Sequence, residues 1–178
     1  MRKIIKSRSF RGFILIEPLG ILAATIMLVT FPVAQHNGEK DRQVTCSSNQ
    51  KQIWIATAMY VQENDDTLPV VDAVIWSCLD VKGKVLECPA NRKDRKKSYA
   101  YNKNLSDKSV TEIMVPDEIA LTADSDRKDI SMTSIADIAL RHGEKKEAAI
   151  VAFVDGHVAW LNKNSIENVL FKYEQSKI

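Results

Sequence analysis

The stretch from Gly12 to Ala34 constrains this chain more than any other. Phe13 to Ala34 is 22 residues with a single charge, Glu17. As an α-helix it would be about 33 Å long, enough for the hydrocarbon core of a bilayer. The leader before Gly12 holds five bases (Arg2, Lys3, Lys6, Arg8, Arg11) and no acid, which places that end in the cytoplasm and the rest of the chain outside. A cleaved secretory signal or a plain signal anchor is the simpler reading of such an N-terminus. A secretory signal, however, has a shorter apolar region that ends in a small-residue cleavage site. An ionisable group inside a membrane segment is costly and is usually paired and functional, so Glu17 either has a partner or snorkels to the headgroups.

Beyond the anchor the chain has room for one soluble domain. The whole chain carries 25 bases and 23 acids. Subtracting the five leader bases leaves 20 against 23, so the basicity belongs to the leader and gives no support to a nucleic-acid role. Cys46, Cys78 and Cys88 are too few for a disulfide scaffold, but the predicted topology puts them in an oxidising compartment, where one bridge with one cysteine left over is expected. No CxxC or Cys/His pair has zinc-ligand spacing.

Gly12-Phe13-Ile14-Leu15-Ile16-Glu17 resembles the processing site of type IV prepilins and type II secretion pseudopilins. The resemblance implies cleavage after Gly12 by a membrane prepilin peptidase and methylation of the new N-terminus at Phe13. It also implies assembly of the retained helices, with Glu17 neutralising the terminal amine of a neighbouring subunit. Pro18 stands where the family usually has an aliphatic residue or Met; a proline there forfeits a helical hydrogen bond and crowds the Ile14 carbonyl. The apolar run to Pro32 is also shorter than the family's.

Pro32 ends or bends the first helix, and His36-Asn37-Gly38 loosens it. From Glu39 to Gln62 the pattern is helical again, with Cys46, Asn49, Ile53, Ala56 and Tyr60 on one stripe. Val44, Ile55 and Met59 lie nearly opposite, with Trp54 between, so this helix needs more than one covering surface. Asn64-Asp65-Asp66 is a helix stop, a solvated loop in preference to a calcium site. Cys46 shares its stripe with Ile53 and Tyr60, which makes Cys46 to Cys88 the preferred bridge. Cys78 to Cys88 is the alternative, and free thiols remain open.

Cys46-Ser47-Ser48-Asn49-Gln50-Lys51-Gln52-Ile53, Met59-Tyr60, Cys88-Pro89 and Ser98-Tyr99-Ala100-Tyr101-Asn102 resemble blocks of a planctomycete and verrucomicrobial variety of pseudopilin-like protein. In that variety Leu is preferred at the position of Gln50. The run Arg92, Lys93, Arg95, Lys96, Lys97 offers a phosphate or DNA patch, but without an interleaved aromatic platform it reads as a solvated loop. Tyr99 and Tyr101 suggest a short strand with one ring on each face. Glu118 to Asp124 reads as a strand, followed by a polar loop to Ser134 and one helical turn near Ile135 to Leu140. Ala148 to Val154 and His157 to Leu161 flank Asp155-Gly156, the pattern of a hairpin with a type I′ turn. With Arg141-His142 this resembles the family's terminal motif, although Gly143 to Glu147 makes a longer loop. Asn164 is expected to cap a short final helix.

Asp124, Asp126, His142, Asp155 and His157 form the one set of residue types suited to a metal or to acid–base work. Asp155 is accounted for by its turn, and no nucleophile or phosphate loop accompanies the histidines. No enzyme activity, cofactor or metal is therefore assigned; Asp124, Asp126, His142 and His157 are the residues a metal would use.

The expected fold is α+β and pilin-like: a long N-terminal helix, with a membrane half and an amphipathic half, on a small antiparallel sheet of about four strands, and a short C-terminal helix. Residues 1–12 would be the leader, 13–34 the transmembrane helix, 35–63 its amphipathic continuation and 64–178 an extracytoplasmic head. The resemblance implies a structural pseudopilin-like subunit of a type II secretion or type IV pilus-like filament, in the cytoplasmic membrane. Its partners would be the prepilin peptidase, other subunits, the assembly machinery and membrane lipid, with nucleic acid not expected. The alternatives are an anchored extracytoplasmic binding protein that does not polymerise, and a DNA-binding minor pilin.

Overall fold

The computed structural model describes residues 38–91 and 98–172 in full, and the helical backbone of residues 16–37. Gly12 and Phe13, the Glu17 side chain and the basic run Arg92 to Lys97 lie outside the residues described in full. The chain divides after Gly38 into two units, and the sheet belongs to the second. In order the elements are α1 (Ile16–Glu63), α2 (Ile75–Cys78), β1 (Tyr99–Asn102), β2 (Ala120–Asp124), β3 (Ser131–Met132), β4 (Ala148–Phe153), β5 (Val158–Asn162) and α3 (Lys163–Ile166), with 3-10 turns between them.

Residues 39–63 of α1 lie against a five-stranded sheet ordered β3-β1-β2-β4-β5. Its neighbours are antiparallel except β1 and β3, which run parallel. The expected pilin-like fold is thereby corrected. The sheet is mixed and has five strands, because the polar segment after β2 returns to the outer edge of β1 and pairs Ser131 with Tyr101. Among the described residues no helix is long and apolar enough to cross a membrane, and the helix described in full on the sheet spans residues 38–63. The C-terminal helix is a single turn, capped by Asn162 and not by Asn164, since the Asn162 carboxamide accepts the Asn164 and Ser165 N–H groups.

Strand β4, Ala-Ala-Ile-Val-Ala-Phe, is buried at every position. Such a continuous apolar run suits a strand covered on both faces. On the α1 side, Ile53 and Cys46 pack with Tyr99, Tyr101, Leu121 and Ile150. On the other side Ala149, Val151 and Phe153 meet Ile166, Val169 and Phe171 of the C-terminal segment. Each fully buried Ile or Leu here contributes about 1.5–3 kcal/mol by leaving water.

Tyr99 and Tyr101 both join the α1-facing core, while Ala100 between them joins the opposite one. Residues two apart on a strand share a face, so the expectation of one ring on each side is corrected. The hairpin falls at the expected place with a different turn. Gly156 N–H donates to Phe153 O at 3.0 Å and Phe153 N–H to His157 O at 3.0 Å. Gly156 alone is left-handed, with φ +94. Val154 and Asp155 thus occupy the turn and Gly156 forms a bulge after it, the three-residue hairpin in place of type I′. At the end of α1, Asp65 and Asp66 are left-handed (φ 49 and 57) and terminate the helix.

Candidate functional site

Four side chains from four separate segments converge between α1 and the sheet: Cys46 of α1, Cys88, Asp124 at the end of β2, and His142 just before β4. All four are fully buried. One ligand-type atom from each lies within 4.8 Å of all the others. Cys46 Sγ is 2.8 Å from Cys88 Sγ and 3.4 Å from Asp124 Oδ1. His142 Nε2 is 3.4 Å from Cys88 Sγ and 3.3 Å from Asp124 Oδ2.

Local structure explains each placement. Asn49, one turn beyond Cys46, donates to Glu87 O at 3.0 Å and to the Tyr99 hydroxyl at 3.2 Å, which holds the Cys88 segment against the helix. The Tyr99 hydroxyl in turn sits 3.0 Å from Cys46 Sγ. Asp124 Oδ2 accepts the Ile150 N–H at 2.9 Å, so the carboxylate is fixed by the neighbouring strand. His142 exchanges backbone bonds with Ala148 around the loop of residues 143–147. Glu39 reaches that loop from the start of the second unit; its Oε1 accepts the Gly143 N–H at 3.0 Å and lies 3.5 Å from His142 Nδ1. His142 Nδ1 makes no hydrogen bond although it is buried.

The proton positions follow from this packing. Burial, reinforced by its bond toward Cys88 and by the Asp124 charge, pushes the Cys46 thiol far up. Hydrogen bonds from Cys46 and then from His142 bring Cys88 down to about 6 against its own burial. Burial opposes protonation of His142, yet its bonds to Asp124 and Cys88 outweigh that and raise it to about 10. Burial also pushes the Tyr99 hydroxyl up, aided by Cys46 and Asp124. Of the two thiols, Cys88 is thus the more readily ionised, and Arg141 Nε stands 3.9 Å from Asp124 Oδ1.

A cysteine beside a histidine and an aspartate raises the question of a catalytic triad. In a triad the carboxylate orients one ring nitrogen and the nucleophile meets the other. Here Asp124 and Cys88 both face Nε2, and Cys88 is fully buried. The geometry does not present a nucleophile to a substrate. Two thiols, an imidazole and a carboxylate are instead the donor types of a metal site.

No family model, curated protein or solved structure matches the chain. The site therefore stands on its own geometry.

Of the residues singled out from sequence, Asp124 and His142 are brought together, and Cys46 and Cys88 join them as free thiols. Asp126 is exposed and its carboxylate accepts from Arg141 Nη2 at 2.9 Å. His157 lies on the hairpin, stacked on Phe153 with ring centroids 4.2 Å apart and 2.7 Å from Asp155. Cys78 is exposed and free. The sequence reading separated the cysteines from the aspartate and histidine, because no short spacing links them.

Proposed function

We propose that this chain is a structural, membrane-anchored pseudopilin-like subunit, whose head is the folded body of residues 39–172. The observation that carries the reading is the sequence Gly12-Phe13-Ile14-Leu15-Ile16-Glu17, preceded by five bases and followed by an apolar run. Cleavage after Gly12 leaves a cationic amine on Phe13 near the membrane surface, and Glu17 of an adjacent copy removes the cost of both charges by pairing with it. Val44, Ile55 and Met59 support the reading: they are 69%, 45% and 58% exposed on α1, away from the sheet-facing stripe. An apolar helix face in solvent suits packing against another subunit.

The test is the mature N-terminus. Mass mapping of the chain from its native membrane is expected to find a mature N-terminus at N-methylated Phe13. An intact Met1, or a cut beyond Ala34, contradicts the proposal. Glu17→Ala is expected to remain membrane-inserted while losing cross-links between copies.

A further inference from the structure

We propose that Cys46, Cys88, Asp124 and His142 form a structural centre for a borderline-soft divalent cation of the zinc type, bound through Sγ, Sγ, a carboxylate oxygen and Nε2. The inference does not depend on the membrane anchor or on the pseudopilin reading. Donors held 2.0–2.3 Å from one tetrahedral ion lie roughly 3.3–3.8 Å from one another. His142 Nε2 already stands at such distances from Cys88 Sγ (3.4 Å) and Asp124 Oδ2 (3.3 Å), while Cys46 Sγ is 3.4 Å from the other carboxylate oxygen, Oδ1. The two sulfurs, at 2.8 Å, are a pair that an ion must spread. That distance is also longer than the S–S bond of about 2.05 Å, and both cysteines are free.

The surroundings are those of a metal site. A histidine ligand normally directs its other ring N–H to a carboxylate. Nε2 points into the cluster, and the buried, unbonded Nδ1 faces Glu39 Oε1 at 3.5 Å. Tyr99 supports Cys46, and the Ile150 N–H fixes Asp124. Two thiolates, a carboxylate and a dication sum to one negative charge, and Arg141, 7% exposed, stands beside Asp124 to offset it. Binding as two thiolates and a neutral Nε2 releases to solvent whatever protons these three groups carry, with no change of oxidation state. A surface pocket is lined by Glu39, Ala90 and the two chain neighbours of His142, Arg141 and Gly143. The ion would join α1, the Cys88 segment, β2 and the entry to β4, and so fasten the helix to the sheet.

The test uses the full chain in detergent under reducing conditions, with Co2+ as a spectroscopic probe and Zn2+ as competitor. The expected result is one Co2+ per chain, with the visible absorption of a tetrahedral thiolate site, displaced by Zn2+. Cys46→Ser and Cys88→Ser should each lose about half of the thiolate-to-cobalt charge-transfer intensity, and the double variant all of it. Glu39→Gln retains all four ligands and should weaken Zn2+ binding by about 10- to 100-fold. Cys78→Ser, at an exposed free thiol outside the cluster, should leave binding unchanged. Absence of stoichiometric Co2+ binding by a folded chain with free thiols would overturn the proposal. So would full binding by both serine variants. Where those variants fail to fold, an unaltered affinity in Glu39→Gln overturns it instead.

Discussion

The indole of Trp54 lies directly on Gly156, so closely that a Cβ at that glycine would clash with its Cε2, Cζ2 and Cδ2 atoms. Trp54 Nε1 also donates to Val154 O at 3.0 Å, and Lys51 Nζ donates to Gly156 O at 2.7 Å while resting 4.2 Å from the Trp54 ring centroid. One turn of α1 therefore clamps the β4–β5 hairpin. Gly156→Ala meets both the ring and a left-handed φ of +94. It should destabilise the head by about 2–4 kcal/mol, read by thermal unfolding of the detergent-solubilised chain. A change below about 0.5 kcal/mol would show that the clamp is not formed.

Gln50 is fully buried against the sheet, where it accepts from the Thr122 hydroxyl and donates to Ile150 O at 3.3 Å. Gln50→Leu strands the Thr122 hydroxyl and should cost about 1–3 kcal/mol, whereas Gln50→Leu with Thr122→Val removes both partners and should recover most of the loss. A double-mutant cycle with no coupling would refute the pairing.

Asp137 organises the turn after β3: its Oδ2 accepts the Thr133 N–H at 2.8 Å and the Ser134 N–H at 3.2 Å, and Arg127 Nη1 donates to Oδ1 at 2.6 Å. Partial burial pushes this carboxyl up, but the Thr133 N–H and Arg127 outweigh it and leave it below the usual range. A carboxyl depressed in the folded state contributes stability that is present above its unfolded pKa of about 3.9 and is lost as pH falls through the folded value. Asp137→Asn should therefore flatten the acid limb of the stability curve below about pH 4 and lower stability at neutral pH by about 1–2 kcal/mol. Parallel curves for variant and parent would exclude this role.

The exposed apolar face of α1 separates folding from assembly. Ile55→Glu, at a side chain 45% exposed, should leave unfolding within about 0.5 kcal/mol of the parent. It should also abolish cross-links between copies in the membrane. Unchanged cross-linking would remove this face from the assembly account.

The hairpin was legible because Asp155-Gly156 sits between two apolar segments, a local signal. Its turn type was not, because Trp54 and Lys51 reach it from about a hundred residues away. The stripe of Cys46, Asn49 and Ile53 correctly marked the sheet-facing side of α1, since a helical period reports burial directly. Strand β3 escaped notice because two residues, one of them polar, carry no period. The cluster was half legible: the stripe that holds Cys46 suggested Cys88 as its partner, though as a bridge, and the two are adjacent free thiols. Asp124 and His142, however, stood among Asp126, Asp155 and His157 with nothing local to set them apart. Only strand register and the Ala148 bridge carry those two inward, and such long-range geometry leaves no trace in spacing.

On the proposal above, the two buried thiols share an ion with Asp124 and His142 and are not joined to each other. Native mass spectrometry of the full chain, released from detergent after isolation without reductant or chelator, tests this most directly. The account predicts the mass of the processed, reduced chain plus one zinc ion less the two thiol protons, and loss of that adduct in Cys88→Ser. A metal-free chain lighter by two hydrogens, with Cys46 and Cys88 linked on peptide mapping, would contradict it.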